Sequence, residues 1–196
     1  MENEIYKLRK EHVNFKKLLN LLDEQLDILE KGGNPDYPLM LDILYYMTQY
    51  VDLVHHPKEE AIFALLAARD PGAKKNVAEL TKQHHTIEKS GISFYEKLDS
   101  IISEACGIIK LAKIEAPGRL YSSSLRTHMD KEEKGLFVLA GQLLNDNDWK
   151  GIKSEVQTKT DPIFGQAIEA RFHRVCEQLS KEVSGKQAVS QGGLSG

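Results

Sequence analysis

The sequence predicts an all-α protein: an up-down-up-down four-helix bundle with an additional C-terminal helix. Three observations predict it. Apolar residues recur at helical spacing through four long stretches, and the links between them are short and rich in Gly, Pro, Asn and Asp. Period-two alternation is nearly absent, so no sheet is expected. One histidine-glutamate pattern also occurs twice at a fixed offset, which marks a duplicated helical unit.

The first helix is expected over residues 2–31. Its stripe is Leu8, Phe15, Leu19, Leu22, Leu26 and Leu29, and His12 falls on that inward face. Gly32-Gly33-Asn34-Pro35 ends it. A second helix runs from about Tyr37 to Ala68 and stops before the turn residues Asp70-Pro71-Gly72. Pro57 lies inside it, lacks an N–H, and should kink it and free a carbonyl near Leu53. The third runs from about Ala73 to Ala105, where Cys106-Gly107 breaks it. The fourth begins between Leu111 and Gly118, with Pro117 tolerated in a first turn, and continues to about Asn145. Asn145-Asp146-Asn147-Asp148 caps a short helix through Trp149 and Ile152. Asp161-Pro162 starts a last helix to about Val183, and Phe164, Ile168, Phe172 and Leu179 pack it on the bundle. The organisation is therefore a bundle over residues 1–145, a packed helical extension over 146–183, and a polar, disordered tail over 184–196.

The repeated pattern is His55-His56-Pro57-Lys58-Glu59-Glu60 and His128-Met129-Asp130-Lys131-Glu132-Glu133. Composition alone predicts about 0.06 occurrences of a histidine followed at that spacing by two glutamates. Each copy sets an imidazole and a carboxylate one turn apart on one helix face. The offset between His55 and His128, 73 residues, nearly equals the 72 between His12 and His84. In a bundle, His12, His55, His84 and His128 converge, with Glu59 and Glu132 one turn along. Six ligands exceed one tetrahedral zinc and suit two adjacent metals bridged by the carboxylates. The mixed nitrogen and oxygen set favours iron, with manganese or zinc as lesser options. Alignment of the two copies selects the His55–Glu59 pairing, because Met129 stands opposite His56. His56 is then an outer-shell or structural residue, or else an extra ligand. Tyr121, two turns before His128, either reaches the site or packs in the core with its hydroxyl satisfied. His85 points away, and His173 is structural or exposed.

Bulk properties exclude several classes. The 196 residues carry a formal net charge of −3 with mixed signs, 41% apolar and 28% charged residues, and no basic stripe for nucleic acid. No apolar run approaches a membrane span, and no secretory signal begins the chain, so a cytoplasmic location is expected. Cys106 and Cys176 share no metal-type spacing and fit either reduced thiols or a disulfide.

On the array His12, His55-x-x-x-Glu59, His84, His128-x-x-x-Glu132 the chain resembles the hemerythrin-like, HHE cation-binding family, over about residues 5–145. The resemblance implies a non-haem centre of two iron ions, oxo- or hydroxo-bridged, that takes a small diatomic or peroxide ligand: O2, NO or peroxide. It implies that His12 and His55 serve one iron, His84 and His128 the other, and that Glu59 and Glu132 bridge. Oxygen-carrying hemerythrins have a second histidine one turn along the third helix, and here that position is Glu88. Glu88 is either an anionic ligand, which favours the ferric state, or a solvated helix residue. The departure points to sensing, scavenging or redox response, with peroxidase- or catalase-like or NO-reactive activity, rather than bulk O2 transport. Alternatives are an iron donor for damaged iron-sulfur or di-iron centres, whose known relatives often carry a Cys-containing N-terminal domain that is not expected here, and a metal-stabilised regulatory or interaction bundle. A ferritin-like ferroxidase would need Glu-x-x-His, the opposite order, and that spacing does not occur in register.

Overall fold

The computed structural model describes residues 4–103, 113–155 and 159–181. It is all-α, with no strand among the described residues: α1 (Glu4–Glu30), α2 (Tyr37–Tyr46), a π-helical run (Met47–His55), α3 (His56–Arg69), a 3-10 turn (Pro71–Ala73), α4 (Lys74–Ser103), α5 (Glu115–Lys134), α6 (Leu136–Leu143), α7 (Asp146–Glu155), and, after a 3-10 turn (Ala170–Phe172), α8 over 173–181. Four rods form the bundle: α1; α2 with the π run and α3; α4; and α5 with α6. α1 packs on α5 and α2, and α4 packs on α5, α2 and α3.

Local chemistry sets the ends of the rods. Gly32 adopts φ 74° and closes α1, with Gly33 N–H donating to Ile28 O at 2.8 Å and Gly32 N–H to Leu29 O at 2.9 Å. Asp36 caps α2 by accepting from Leu39 N–H at 3.0 Å. Asn145 caps α7, accepting from Asn147 N–H at 2.9 Å.

Two rods and the last helix differ from the sequence expectation. Pro57 does not simply kink one helix. The residues before it widen into the π run, ending with His56 N–H bonded to Val51 O, five residues back. The fourth rod breaks at Gly135, where φ −114° and ψ −93° leave the helix, and a Cβ there would meet Lys131 O at 2.8 Å. The last helix does not begin at Asp161-Pro162. Asp161 instead accepts from Ile163 and Phe164 N–H at 2.9 Å each, folding a turn, and helical structure resumes at Ala170. Ile163, Phe172 and Val175 carry the docking on the bundle, whereas Ile168 is exposed. The expected break at Cys106-Gly107, the end near Val183 and the tail 184–196 lie outside the described residues.

Two apolar clusters fill the bundle. One gathers Phe15, Leu22, Val51, Ile87, Phe94 and Leu125; the other gathers Leu8, Ile62, Phe63, Leu80, Leu136 and Phe137. Every rod contributes to both, and on every rod the polar residue or pair lies between its two contributions. His12 lies between Leu8 and Phe15, His84 between Leu80 and Ile87, His55 and Glu59 between Val51 and Ile62, and His128 and Glu132 between Leu125 and Leu136. A buried polar layer is thereby sandwiched between two dry ones.

Candidate metal centre

The side chains of His12, His55, Glu59, His84, His128 and Glu132 all converge in that layer, and all are buried. Glu59 faces two ways. Its Oε1 is 3.0 Å from His55 Nε2 and 3.3 Å from His12 Nε2, and its Oε2 is 3.4 Å from His84 Nε2. Glu132 does likewise: Oε1 is 3.0 Å from His128 Nε2 and 3.2 Å from His84 Nε2, and Oε2 is 3.6 Å from His12 Nε2. These separations are short, yet both oxygens of Glu59, Oε2 of Glu132 and Nε2 of His128 lack an aligned hydrogen-bond partner.

The Nδ1 side of each ring explains that arrangement. His55 Nδ1 is 2.6 Å from Glu11 Oε2, His12 Nδ1 3.1 Å from Glu133 Oε1, His84 Nδ1 3.1 Å from Glu60 Oε1, and His128 Nδ1 3.1 Å from Gln83 Oε1. A carboxylate or amide oxygen only accepts, so Nδ1 carries the proton and a neutral ring turns its Nε2 lone pair inward. His12 and His55 Nε2 atoms then lie 3.1 Å apart. Lone pairs facing each other in a buried layer need protons or a cation between them. The donor set therefore fits a metal, and two groups each bring one ligand atom per residue to within 4.8 Å of one another: His12, His55 and Glu59, and His56, Glu59, His84 and His128.

The electrostatics agree. Burial pulls the His55 and His84 imidazoles down, but the Glu59 charge and the hydrogen bond that His55 donates to Glu11 raise His55 to about 9, and the nearby carboxylates of Glu132 and Glu59 raise His84 to about 10. Burial pushes Glu59 up, but the surrounding imidazoles, His55 first, hold it well below the usual carboxylate range. Without metal, protons take the place of cationic charge.

His56, which the sequence leaves as an outer-shell residue or an extra ligand, lies inside the layer: its ring is 4% exposed and stacks on His84 with centroids 4.1 Å apart. The π run makes this geometry available, because it lets His55 face His12 (centroids 5.0 Å) while His56 faces the opposite half. Tyr121 is buried, as expected of a core residue, but its hydroxyl has no hydrogen-bond partner. Glu88 does not join the cluster. Its side chain is 38% exposed and lies 3.4 Å from the exposed His85, and it lines a surface pocket of about 350 Å3 with Asp52, His56, Pro57, Glu60, Thr81, His84 and His85.

The outer partners were missed from sequence, although a signal existed. Glu11 and Gln83 each precede the first histidine of a repeat, and Glu60 and Glu133 each follow the repeat's glutamate. The structure pairs them in the same crossed way in both halves: the first kind holds His55 and His128, the second holds His84 and His12.

No helix among the described residues is long and apolar enough to cross a membrane. No curated protein matches the chain. The family model of the hemerythrin HHE cation binding domain matches residues 3–140, which span all four rods and the whole buried layer, and the chain belongs to that family.

Proposed function

We propose that this is a non-haem di-iron protein that binds O2, NO or peroxide in sensing, scavenging or redox response. The observation that carries the reading is the division of two buried carboxylates between two sets of imidazoles, with their oxygens otherwise unpartnered. His12 and His55 would hold one iron, His84 and His128 the other, and Glu59 and Glu132 would bridge them. When bound, a pair of irons supplies a shared change of oxidation state and open positions for a small ligand. Glu11, Glu133, Glu60 and Gln83 fix the ring orientations through Nδ1. Ile62, Phe63 and Leu136 exclude water from one side of the layer.

Exchange with solvent, rather than bulk O2 storage, is supported by the pocket beside His56 and His84. Reversible carriage needs a site shielded from water and protons. Here a polar opening reaches two of the rings, with Glu60, His85 and Glu88 at its mouth. The same acidic opening favours a second reading, an iron donor to damaged metal centres, since it would pass cations.

Elemental analysis of purified protein, with absorption spectra before and after reduction and on return to air, tests the reading. Two irons per chain and ferric charge-transfer bands that bleach on reduction are expected. One zinc, or no metal in a folded bundle, would sink the di-iron account and favour the interaction-bundle alternative. Transfer of iron to a metal-free acceptor, without turnover of peroxide or NO, would select the donor reading.

A further inference from the structure

The two halves of the centre are not equivalent, and the asymmetry lies in one buried pair. Adding the 73-residue offset to Asp52 and His56 gives Leu125 and Met129. Those two are core residues of the other half, 1% exposed each. A carboxylate and an imidazole thus stand where the duplicated unit has apolar side chains. Burying such a pair costs free energy unless something offsets it.

We infer that His56 is the third imidazole ligand of the metal position held by His84 and His128, and that Asp52 is its positioning residue. The inference rests on the two-metal reading above and departs from alternation by repeat. A ring nitrogen of His56 lies within 4.8 Å of ligand atoms on Glu59, His84 and His128. The ring is T-shaped to His128, with centroids 5.8 Å apart, besides stacking on His84. Its construction matches the four other rings: Nδ1 is 3.1 Å from Asp52 Oδ1, one turn earlier. That approach is out of line for a hydrogen bond, and both Asp52 oxygens are otherwise unpartnered, so a small ring rotation completes the pairing. With Nδ1 directed to Asp52, Nε2 is the nitrogen left for a metal.

The consequence is a two-plus-three division. His12 and His55 serve one position; His56, His84 and His128 serve the other. The third imidazole comes from the second rod, where the π run and Pro57 turn consecutive histidines to opposite halves. It takes the part that a histidine one turn along the third rod would otherwise play, which explains why Glu88 can stay at the surface.

Cobalt(II) is the probe, because high-spin Co(II) shifts the ring N–H protons of its ligands far outside the ordinary proton spectrum. In the wild-type protein with two Co(II) bound, five exchangeable shifted N–H resonances are expected. His56→Gln should remove one of them and weaken one of the two Co(II) sites by more than about tenfold, with the other unchanged. Asp52→Asn should move that same resonance without removing it, which a merely structural residue would not do. His173→Ala, at an exposed position on α8, is the control and should change nothing. Two bound Co(II) with four shifted resonances, or an unchanged His56→Gln, overturns this inference and leaves the two-metal reading intact. A wild-type protein that binds fewer than two Co(II) overturns both. The wild-type spectrum decides the matter even if the His56 variant fails to fold.

Discussion

Glu59 is the residue on which both halves depend. Its two oxygens face opposite sets of imidazoles, and neither has an aligned partner within the protein. A buried carboxylate in that condition costs several kcal/mol unless a cation meets it. Glu59→Ala should therefore empty both positions, while His12→Ala, which touches one side, should leave about one metal per chain. Metal content of the two purified variants checks this, and equal loss from both would refute the division. The convergence of the six residues was legible because each has a helical neighbour at fixed spacing and the set occurs twice. The Nδ1 partners were not. Glu11 and His55, or Glu133 and His12, meet only when rods pack, and a sequence gives the face of a helix but not the residue opposite. The place of His56 stayed open for a related reason: repeat alignment assumes two equal halves, and Asp52 and His56 stand where the other half has Leu125 and Met129.

The four rods, their caps and their turns follow from local signals that agree with one another. Gly32 in a left-handed conformation, Asp36 at a helix start and Asn145 before α7 each satisfy backbone groups that the helix leaves open. The π run is not local in that sense. It exists because Pro57 cannot donate to Leu53 O and its ring would strike that carbonyl, and the preceding residues respond by shifting their bonds one residue further back. Sequence marks the proline but not how many residues absorb the shift. The Asp161 turn was misread because Asp-Pro serves equally as a helix start and as a turn, and here the side chain takes two backbone N–H groups. The break at Gly135 is of a third kind. Gly135 lies three residues beyond Glu132, and its N–H reaches Lys131 O at 2.9 Å and Glu132 O at 3.3 Å. A Cβ there would press on Lys131 O, backbone that cannot swing aside. Gly135→Ala should cost about 1–3 kcal/mol by overpacking, read as a lowered melting temperature of the metal-free protein. An unchanged melting temperature would mean that the junction of α5 and α6 is free to rearrange.

At the scale of the molecule, the polar layer is the weak plane of an otherwise apolar bundle. The C-terminal segment braces the bundle away from it. Phe172 and Val175 are buried beside Tyr45 and Tyr46, Tyr46 OH donates to Asp161 at 2.9 Å, and Arg174 pairs with the Asp36 cap at 3.0 Å. The burial of Phe172 outweighs the exposed Arg174 pair, which contributes at most about 1 kcal/mol. The layer itself must be stabilised by protons or by metal, and the two respond oppositely to pH. In the metal-free protein His55 and His84 are raised to about 9 and about 10, above the ordinary imidazole value near 6.5. A raised folded-state value stabilises fully below about pH 6.5, and that contribution is lost as pH climbs through the folded values. Metal needs the same rings neutral, so its stabilisation grows over the same interval. The melting temperature of the metal-free protein should fall between about pH 6.5 and 9, and the gap between loaded and metal-free protein should widen. Scanning calorimetry of both forms at the two ends of that range measures it. Parallel curves would mean that protons and metal do not compete for these rings, and that the layer is held by something other than the imidazoles that line it.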